Sequence, residues 1–490
     1  MNILLVSPRT PDTFWSFKHA LRFVSKRAAL PPLGLLTVAG MLPREWQCKL
    51  VDLNVARLRH RDIRGADYVL VSAMLVHKQS VQDIAASCRA EGTPVIAGGP
   101  LFIADERDFE DIDHYVIGEA EELMAELVAD MRAGTVKPQY QAADFPDITR
   151  TPEPRWDLIR MHHYATMPVQ YTRGCPFNCE FCDIVALNGR KPRLKTIPQM
   201  LHELDGLRLR GWKGSTFLVD DNFIGNKQRV KELLHAMIGW RRDTRAKMTF
   251  LTEASVNMAD DPELMRLMAV AGFKKVFLGI ETPDTAALEA CQKYQNTRHD
   301  LMDSVHTIQQ AGMEVMGGFI VGFDNDTPDI FERQFEFIQK AGVVTAMVGL
   351  LQAVPRSRLY QRLAKEGRLL GESLGDNTKA AFNFEPKLDR EFLVSNYRKL
   401  MERLYEPSAY YQRIRAFLNQ HQARGPRPWL SLQDIKALFK SLWLMGVIYH
   451  GRRAYWRFFA STLMRHPAQF GLAITLAIYG HHFRQVARTL

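Results

Sequence analysis

The sequence predicts an α/β protein built from an N-terminal Rossmann-like parallel sheet, a central (β/α)6 partial TIM barrel and a C-terminal helical extension. Over the first 145 residues, short β-branched runs alternate with helical stretches, and six further pairs of run and helix follow from about residue 166. Strands separated by helices form parallel sheets, because a parallel crossover needs a connection of helix length. Beyond residue 355, helical periodicity is mixed with polar loops.

Five strands are predicted in the N-terminal α/β domain, residues 1–145. They are Asn2 to Ser7, Leu50 to Leu53, Tyr68 to Ser72, Val95 to Ala97 and His114 to Ile117. Glycine-bearing turns follow the fourth and fifth runs, at the strand ends where an open α/β sheet places its ligand crevice. The polar stretch from Pro146 to Pro154 marks a linker, assigned to residues 146–165.

Six strands are predicted in the barrel, residues 166–355. They are Val169 to Thr172, Ser215 to Asp220, Met248 to Glu253, Lys275 to Glu281, Met316 to Val321 and Ala346 to Gln352. Chemistry in such barrels lies at the C-terminal ends of the strands. Polar or glycine-rich segments stand at four of these ends: Asp220-Asp221-Asn222, Thr252 to Ser255, Gly279 to Thr282 and Gly317 to Phe323. Taken singly, such polar residues are also typical of helix caps.

The positive charge of the chain is concentrated at its C-terminus. Residues 356–435 are expected to form the helical extension, and residues 436–490 a basic amphipathic tail. The tail holds eight Lys or Arg and no Asp or Glu, so only about +2 of the net charge of +10 belongs to the rest of the chain.

Two apolar stretches in this tail, Leu442 to Tyr449 and Phe470 to Tyr479, are shorter than the about 18 residues of a spanning helix. A basic segment rich in Trp and Phe is typical of helices that lie in a membrane interface. We therefore expect peripheral membrane association through Trp443, Trp456, Phe458 and Phe459, and a chain ended near Asp434 to stay folded. The alternatives are a core-packed helical cap and a nucleic-acid surface; no nucleic acid is expected, because no RNA-binding signature is present.

Composition and cysteine usage indicate a globular protein of a reducing compartment. The hydrophobic content of 46% and charged content of 24% are ordinary for a folded protein. Of the six cysteines three are clustered, which is not a disulfide framework; Cys48, Cys88 and Cys291 are expected to be small buried residues. The N-terminus predicts a strand and no signal peptide, so a cytoplasmic location is expected.

The most informative motif is the spacing C-x-x-x-C-x-x-C formed by Cys175, Cys179 and Cys182. A 4Fe-4S cluster usually takes four thiolates, so three leave one iron open to another ligand. The alternative is zinc, which prefers paired C-x-x-C half-sites or nearby histidines. We therefore expect these three cysteines to hold a 4Fe-4S cluster.

With Phe181 just before the third cysteine, this motif resembles the radical S-adenosylmethionine (SAM) superfamily. The resemblance implies that SAM chelates the open iron and is cleaved to methionine and a 5′-deoxyadenosyl radical, with ferredoxin or flavodoxin as the electron donor. It also implies where the barrel holds SAM: the methionine amino group at Asp220 and Asp221, the ribose and carboxylate at Glu253, Ser255 and Glu281, and the adenine near Gly317, Gly318 and Gly322. The usual Gly-Gly-Glu after the second strand is absent.

A Rossmann-like sheet ahead of such a barrel resembles the cobalamin-binding class of that superfamily, and the helical extension resembles the hopanoid methylases. The best-known cobalamin domains carry Asp-x-His-x-x-Gly, whose histidine ligates cobalt. This chain has Asp52-Leu53-Asn54, so Asn54 stands in place of that histidine. The resemblance implies a cobalamin site lined by Asp52, Asn54, Ser72, Gly98, Gly99, Gly118 and Glu119. The alternative is a purely structural sheet.

The function expected from these features is cobalamin-dependent methylation of an unactivated carbon in a lipid or other hydrophobic substrate. A second possibility is radical ring closure, oxidation or carbon-carbon coupling without methyl transfer. A third, from another class, is a non-enzymatic iron-sulfur sensor. The strand-end carboxylates suited to binding SAM favour the enzyme.

Overall fold

The structure, a computed structural model, describes residues 1–104, 109–371, 373, 375–376, 378–426 and 432–490. Its N-terminal part is a parallel six-stranded sheet with helices on both faces. The strands are β1 (Asn2–Ser7), β2 (Gln47–Asp52), β3 (Tyr68–Ser72), β4 (Val95–Gly98), β5 (His114–Ile117) and β6 (Gln139–Gln141). The helices are α1 (Lys18–Leu21), α2 (Leu33–Met41), α3 (His60–Arg64), α4 (Lys78–Glu91), α5 (Pro100–Ala104) and α6 (Met124–Ala133).

The alternation of side chains along β1 explains why both faces of this sheet are covered. Leu4 and Val6 pack into a core with α4, while Ile3 and Leu5 pack into a second core with α2 and α6. The strand order is β2-β1-β3-β4-β5-β6, so it reverses at β1. In such sheets the ligand crevice lies outside the carboxyl ends of the strands.

The central part is a second parallel sheet in the order β14-β13-β12-β11-β10-β7, which confirms the predicted partial barrel. Its strands are β7 (Thr166–Val169), β10 (Ser215–Leu218), β11 (Thr249–Ala254), β12 (Phe273–Glu281), β13 (Glu314–Val321) and β14 (Thr345–Leu350), and a short antiparallel pair, β8 (Thr172–Arg173) and β9 (Arg193–Leu194), follows β7. The helices are α7 (Ile184–Asn188), α8 (Ile197–Leu209), α9 (Lys227–Thr244), α10 (Pro262–Ala271), α11 (Thr285–Ala290), α12 (Leu301–Gln310), α13 (Ile330–Lys340) and α14 (Arg358–Lys365). Because β7 and β14 are not paired, the barrel has an open side.

The C-terminal part is helical, as predicted. It comprises α15 (Arg390–Tyr405), α16 (Pro407–Gln420), α17 (Leu432–Trp443), a π-helical turn (Leu444–Ile448), α18 (Arg452–Arg465) and α19 (Phe470–Ala487). Helix α19 packs against β14, α15 and the N-terminal α1. It therefore lies over the last strand, beside the open side of the barrel.

The C-terminal segment is not a separate tail. Phe458, expected at the membrane, is fully buried, and most of α19 belongs to the main hydrophobic core. The reason is that residues 470–483 carry no charge on any face, which is typical of a buried helix. Trp443 and Trp456 remain exposed, at 61% and 44%. No helix in the described part of the chain has the length and hydropathy needed to cross a membrane.

Candidate functional site

The three clustered cysteines lie in one loop that begins directly after β8; Cys179 is buried, and Cys175 and Cys182 are half-buried. The Cys175 amide donates to Gly189 O at 3.1 Å and the Cys182 amide to Cys179 O at 3.2 Å. Burial raises the pKa of the Cys175 and Cys182 thiols, and the nearby Cys179 raises both further. Cys179 therefore lies near both of the other cysteines. No three Cys, His, Asp or Glu side chains of the described residues, those of this loop included, converge on a point where one metal ion could sit.

Two amide side chains direct N–H groups at these sulfurs. Gln295 Nε2 lies 3.4 Å from Cys179 Sγ, and Asn222 Nδ2 lies 3.9 Å from Cys175 Sγ. Such donors tune the reduction potential of an iron-sulfur cluster, so this environment fits the expected group. Cys291 is also close to the loop, but its thiol donates to Leu288 O at 3.4 Å. Gln295 was not found from the sequence, because it is 116 residues from its partner.

Asp220 and Asp221, which follow β10, bind the backbone that leads into the cysteine loop. Asp220 Oδ1 accepts from the Tyr171 amide at 2.8 Å, while its Oδ2 is buried without a partner. Burial raises the pKa of Asp220 to about 8. Asp221 Oδ2 accepts from the Gly174 amide at 2.7 Å and from Asn188 Nδ2 at 2.9 Å. In this structure both carboxylates position the loop.

The loop is also attached to the N-terminal sheet by buried ion pairs. Arg173, in β8, pairs with Glu119 and Glu121, and Arg193, in β9, pairs with Glu119 as well. Burial alone would raise the pKa of Glu121, but Arg173 outweighs it and holds the pKa below its usual value. Glu119 follows Gly118, which is the first residue after β5. The C-terminal edge of the first sheet therefore faces the cysteine loop.

A third attachment comes from the far side of the barrel. Arg362, in α14, forms an ion pair of 2.7 Å with Glu180 of the loop. The ring of Phe181 packs edge-on against Phe323, which follows β13, with centroids 6.0 Å apart. The loop is thus fixed from three directions.

Glu253 is the carboxylate with the fewest constraints among the predicted SAM residues. It lies near the end of β11, and its carboxylate has no hydrogen-bond or ion-pair partner within the described residues, although its backbone oxygen accepts from the Thr252 hydroxyl at 3.4 Å. Burial raises its pKa to about 7, and the neighbouring Asp221 adds to the shift. Ser255 follows two residues later, and its hydroxyl lies 2.6 Å from Asn257 Oδ1 and 3.3 Å from Asn222 Nδ2.

Glu281, at the end of β12, is engaged by a buried lysine. Its carboxylate pairs with Lys293, whose ammonium group also lies 5.5 Å from the centre of the Phe181 ring. Burial would lower the pKa of Lys293, but Glu281, Cys179 and Cys182 together outweigh burial and raise it. Glu281 has a φ of 64° beside an irregularity in the strand register. The charge of Lys293 lies near Cys179 and Cys182, which no sequence signal had indicated.

The glycine-rich end of β13 is closely packed. A Cβ atom at Gly317 would lie 2.7 Å from the Phe319 ring, and one at Gly318 would lie 3.0 Å from Phe277. The Gly322 amide donates to Asp326 Oδ2 at 2.7 Å. Gly317 is thus packed on the helix side of the sheet, where Phe319 contacts Phe337 of α13, and Gly318 is packed against Phe277.

In the N-terminal domain, Asp52 and Asn54 bind each other. Asp52 Oδ1 accepts from the Asn54 side chain at 2.7 Å, and Asp52 Oδ2 accepts from Tyr164 at 3.0 Å. Asn54 also donates to Pro8 O and accepts from the Thr10 amide. The Asn54 amide therefore has partners for both its donor and its acceptor. Both residues line a cleft of about 1110 Å³.

The other residues assigned to cobalamin lie at the C-terminal ends of β3, β4 and β5. A Cβ atom at Gly99, where φ is +100°, would collide with Ala73 O at 2.8 Å and would lie 3.0 Å from Ser72 Oγ. Gly98 is packed against Val116 in the same way. Gly118, with a φ of +99°, has nothing within 4 Å of its Cβ position. The backbone at Gly118 is thus open, whereas the backbone at Gly98 and Gly99 is closely packed.

An aromatic group lies inside the barrel. Trp15, from the loop after β1, stacks on Phe217 of β10 with centroids 6.3 Å apart, and on Phe277 of β12 at 5.0 Å. Phe17 of the same loop packs on Tyr479 of α19 at 5.0 Å. The sequence placed these loop residues after the first strand but gave no partner for them.

Comparison with known families agrees with this architecture. Residues 169–350 match the model of the Radical SAM superfamily, residues 24–128 match a B12 binding domain, and residues 357–490 match a domain of unknown function, DUF4070. The chain is 41% identical to an uncharacterized methyltransferase of Synechocystis sp., over 99% of this chain and 92% of that protein. It is 34% identical to the hopanoid C-2 methylase of Rhodopseudomonas palustris, over 99% of this chain and 93% of that protein.

Solved structures share the fold at low identity. The cobalamin-dependent SAM radical enzyme OxsB, with aqua-cobalamin and SAM bound, has a TM-score of 0.63 at 14% identity, covering 100% of this chain and 79% of that one. The radical SAM methyltransferase TsrM from Kitasatospora setae, with cobalamin and a 4Fe-4S cluster bound, has a TM-score of 0.57 at 15% identity, covering 74% and 75%.

Proposed function

Because the chain belongs to the radical SAM superfamily, in the branch that carries a B12-binding domain, we propose that it methylates an unactivated carbon of a hydrophobic, lipid-like substrate. The family uses a 4Fe-4S cluster, SAM and cobalamin, and the chain is an enzyme of the methyltransferase type. Membership alone does not fix the substrate, because substrate choice depends on the site.

The cysteine loop is the proposed cluster site, with Cys175, Cys179 and Cys182 as ligands. Bound there, SAM supplies a deoxyadenosyl radical for hydrogen abstraction, and cobalamin supplies the methyl group. Asp220 and Asp221 keep the loop in place through its backbone. A small electron-transfer protein, such as ferredoxin or flavodoxin, is the proposed reductant.

Among the predicted SAM residues, Glu253 is the proposed main contact. Its carboxylate is unpartnered within the described residues and has a raised pKa, so a cationic or hydroxyl-bearing ligand would stabilise its ionised form. Ser255, beside Asn222, is proposed as a second polar contact at the same strand end. Glu281 acts instead through Lys293, by holding a positive charge beside the cysteines.

Cobalamin is proposed to bind at the C-terminal edge of the first sheet, which faces the cysteine loop. Gly118 leaves space for it, and Glu119 ties that edge to Arg173 and Arg193. Asn54 has no ring nitrogen that could ligate cobalt, and its amide is held in place by Asp52, Pro8 and Thr10. We therefore expect bound cobalamin to have no nitrogen ligand from the protein. Electron paramagnetic resonance of the cobalt(II) form tests this, since nitrogen hyperfine splitting would contradict it.

The observation that supports a hydrophobic substrate is the aromatic group formed by Trp15, Phe217 and Phe277 inside the barrel. Aromatic surfaces favour apolar ligands, and pockets for such ligands are lined mainly by hydrophobic side chains. The relative from Rhodopseudomonas palustris is named for a hopanoid, which is an apolar ligand of this kind. We therefore propose a polycyclic or isoprenoid lipid as the substrate.

Lipid mass spectrometry of a deletion strain tests the proposal. The accumulated precursor is then offered to the anaerobically reconstituted protein with SAM that carries a deuterated methyl group. We expect a product heavier by one labelled methyl group that replaces hydrogen. Trp15→Ala should weaken substrate turnover while SAM cleavage without substrate is kept, whereas Trp212→Ala, outside the barrel interior, serves as a control.

A different product mass would contradict methyl transfer. Loss of hydrogen without label would support ring closure or oxidation, and no change in any lipid would refute the substrate class. Failure of the purified protein to retain any corrinoid would refute the proposed methyl donor.

A further inference from the structure

Large apolar side chains are exposed mainly on one hairpin of the described chain, formed by α17, the π-helical turn and α18. We name residues 432–465 the hairpin. It holds nine of the fifteen large hydrophobic side chains that are exposed among the described residues: Leu432, Ile435, Phe439, Trp443, Val447, Ile448, Trp456, Leu463 and Met464. Contiguous exposed apolar patches of this kind mark interaction sites.

On α17 these side chains share one face. Along α17, Leu432, Ile435, Phe439 and Trp443 are spaced by three or four residues, which places them on one stripe. The opposite side of the same helix is buried through Ala437 and Ser441. The stripe is therefore a separate surface and not an extension of the core.

The two helices of the hairpin form one continuous surface. The indole N–H of Trp456 donates to Gly446 O at 2.9 Å, which fixes α18 against the π-helical turn. Tyr455, one residue earlier, is buried and lies 2.9 Å from the Ser441 hydroxyl. Trp456 and Trp443 are thus held on the outer side by contacts on the inner side.

Positive charges are interleaved with this apolar stripe. The hairpin carries Lys436, Lys440, Arg452, Arg453, Arg457 and Arg465, while Asp434 is its only acidic residue. Lys440 is bound to Arg22 O at 2.9 Å, whereas Arg453 and Arg457 are exposed beside Trp456. The surface therefore combines aromatic, aliphatic and cationic groups, with six Lys or Arg against one Asp.

We propose that the hairpin is a docking surface for an anionic phospholipid membrane, in which its two helices lie flat in the interface. Exposed Trp, Phe and Leu enter the headgroup region, and Arg and Lys pair with lipid phosphates. A second copy of the chain is disfavoured, because a two-fold interface would bring the same cations together. Nucleic acid would use the cations but leave the aliphatic side chains without a partner. This proposal does not depend on the substrate.

Co-sedimentation with vesicles tests it, using full-length protein and vesicles of phosphatidylcholine with or without phosphatidylglycerol. We expect binding to be at least about tenfold tighter when phosphatidylglycerol is present, with partial release in high salt. Phe439→Ser combined with Trp443→Ser should abolish binding to both vesicles. Arg453→Gln combined with Arg457→Gln should weaken binding to the anionic vesicles about 25-fold, since each charge contributes about fivefold, and leave binding to neutral vesicles unchanged.

Matched variants elsewhere separate surface effects from general ones. Leu209→Ser removes a side chain that is 71% exposed on α8, and Arg266→Gln with Arg298→Gln removes two charges from the barrel surface. Both should bind vesicles as the wild type does. Iron-sulfur absorbance and circular dichroism should be unchanged in every variant, which shows that each one is folded.

Three results would overturn the proposal. The first is equal binding of the folded Phe439→Ser, Trp443→Ser variant and the wild type. The second is a dimer in light scattering that this variant abolishes, without any vesicle binding, which would make the hairpin a subunit interface. The third is binding to an RNA oligonucleotide that depends on Arg453 and Arg457 but not on Phe439 and Trp443.

Discussion

Glu253 gives the sharpest test of the site, because its environment disfavours its own charge. Burial and Asp221 raise its pKa from 4.5 to about 7. An acid with a raised pKa in the folded state makes the protein less stable as pH rises from its unfolded pKa to its folded pKa. The loss therefore develops between about pH 4.5 and pH 7 and is complete above pH 7.

The expected effect of Glu253→Gln follows from that shift. Each pKa unit corresponds to about 1.4 kcal/mol, so replacing Glu253 by the neutral amide should stabilise the ligand-free protein by about 3 kcal/mol at pH 8. At pH 5, where the loss has only begun, the gain should fall to about 0.8 kcal/mol. For a domain of about 150–250 residues, such as the barrel, 1 kcal/mol shifts the melting temperature by about 2–4 °C. The difference between the gains in stability at pH 5 and pH 8 is therefore measurable by thermal unfolding.

The same variant should lose SAM binding, so stability and function change in opposite directions. Glu402→Gln, at an exposed carboxylate on α15, is the matched control and should change the melting temperature at neither pH. A gain of equal size at pH 5 and pH 8, or a loss at pH 8, would refute the electrostatic argument. Unchanged SAM affinity would refute the proposed contact.

Three further predictions concern the loop, the domain contact and α19. Replacing any of Cys175, Cys179 and Cys182 by Ala should abolish the brown iron-sulfur absorbance and deoxyadenosine formation. Cys291→Ala should keep both, because the Cys291 thiol donates to Leu288 O. Loss of the absorbance in Cys291→Ala would contradict the ligand set. Arg173→Gln leaves Glu119 and Glu121 short of their buried partner and should cost about 3 kcal/mol, seen as faster limited proteolysis near residue 150 than in the exposed control Arg190→Gln. Phe483→Ala, at a buried position of α19, should lower the free energy of unfolding by about 3–5 kcal/mol. Phe439→Ala, at the surface, should change that free energy by less than about 0.5 kcal/mol. Equal losses would show that α19 is not part of the core.

Strand positions could be predicted well where apolar runs alternate clearly with turn residues. The bounds of β1, β3 and β5 agree with the sequence, because each is a β-branched or apolar run with turn residues after it. The edge strand β6 was missed, since only Tyr140 of its three residues is buried. The first barrel strand was predicted from Val169 to Thr172, but β7 runs from Thr166 to Val169. It ends there because the backbone amide of Tyr171 donates to Asp220 and not to a neighbouring strand.

The site could be predicted only where its chemistry is local in sequence. The three cysteines form a motif within eight residues, so their spacing alone identifies them. Other contacts of the site join residues that are far apart in sequence. Arg173 and Glu119 are 54 residues apart, and Gln295 and Cys179 are 116 residues apart. Nothing near Lys293, Gln295 or Arg173 in the sequence indicates these partners. The burial of α19 was not predicted for a related reason: some of its partners, in α1 and the loop before it, lie at the opposite end of the chain.

The contact between the loop after β1 and α19 has a consequence for the order of assembly. Phe14 packs on Phe483 at 5.6 Å, and His482 Nε2 lies 3.1 Å from Phe14 O. At a synthesis rate of about 5–20 residues per second, the partners of Phe14 emerge roughly 20 to 90 s after it does. The last barrel strand, β14, ends at Leu350, 120 residues before α19 begins at Phe470. For about 6 to 24 s of that interval, the complete sheet therefore lacks the helix that packs against β14.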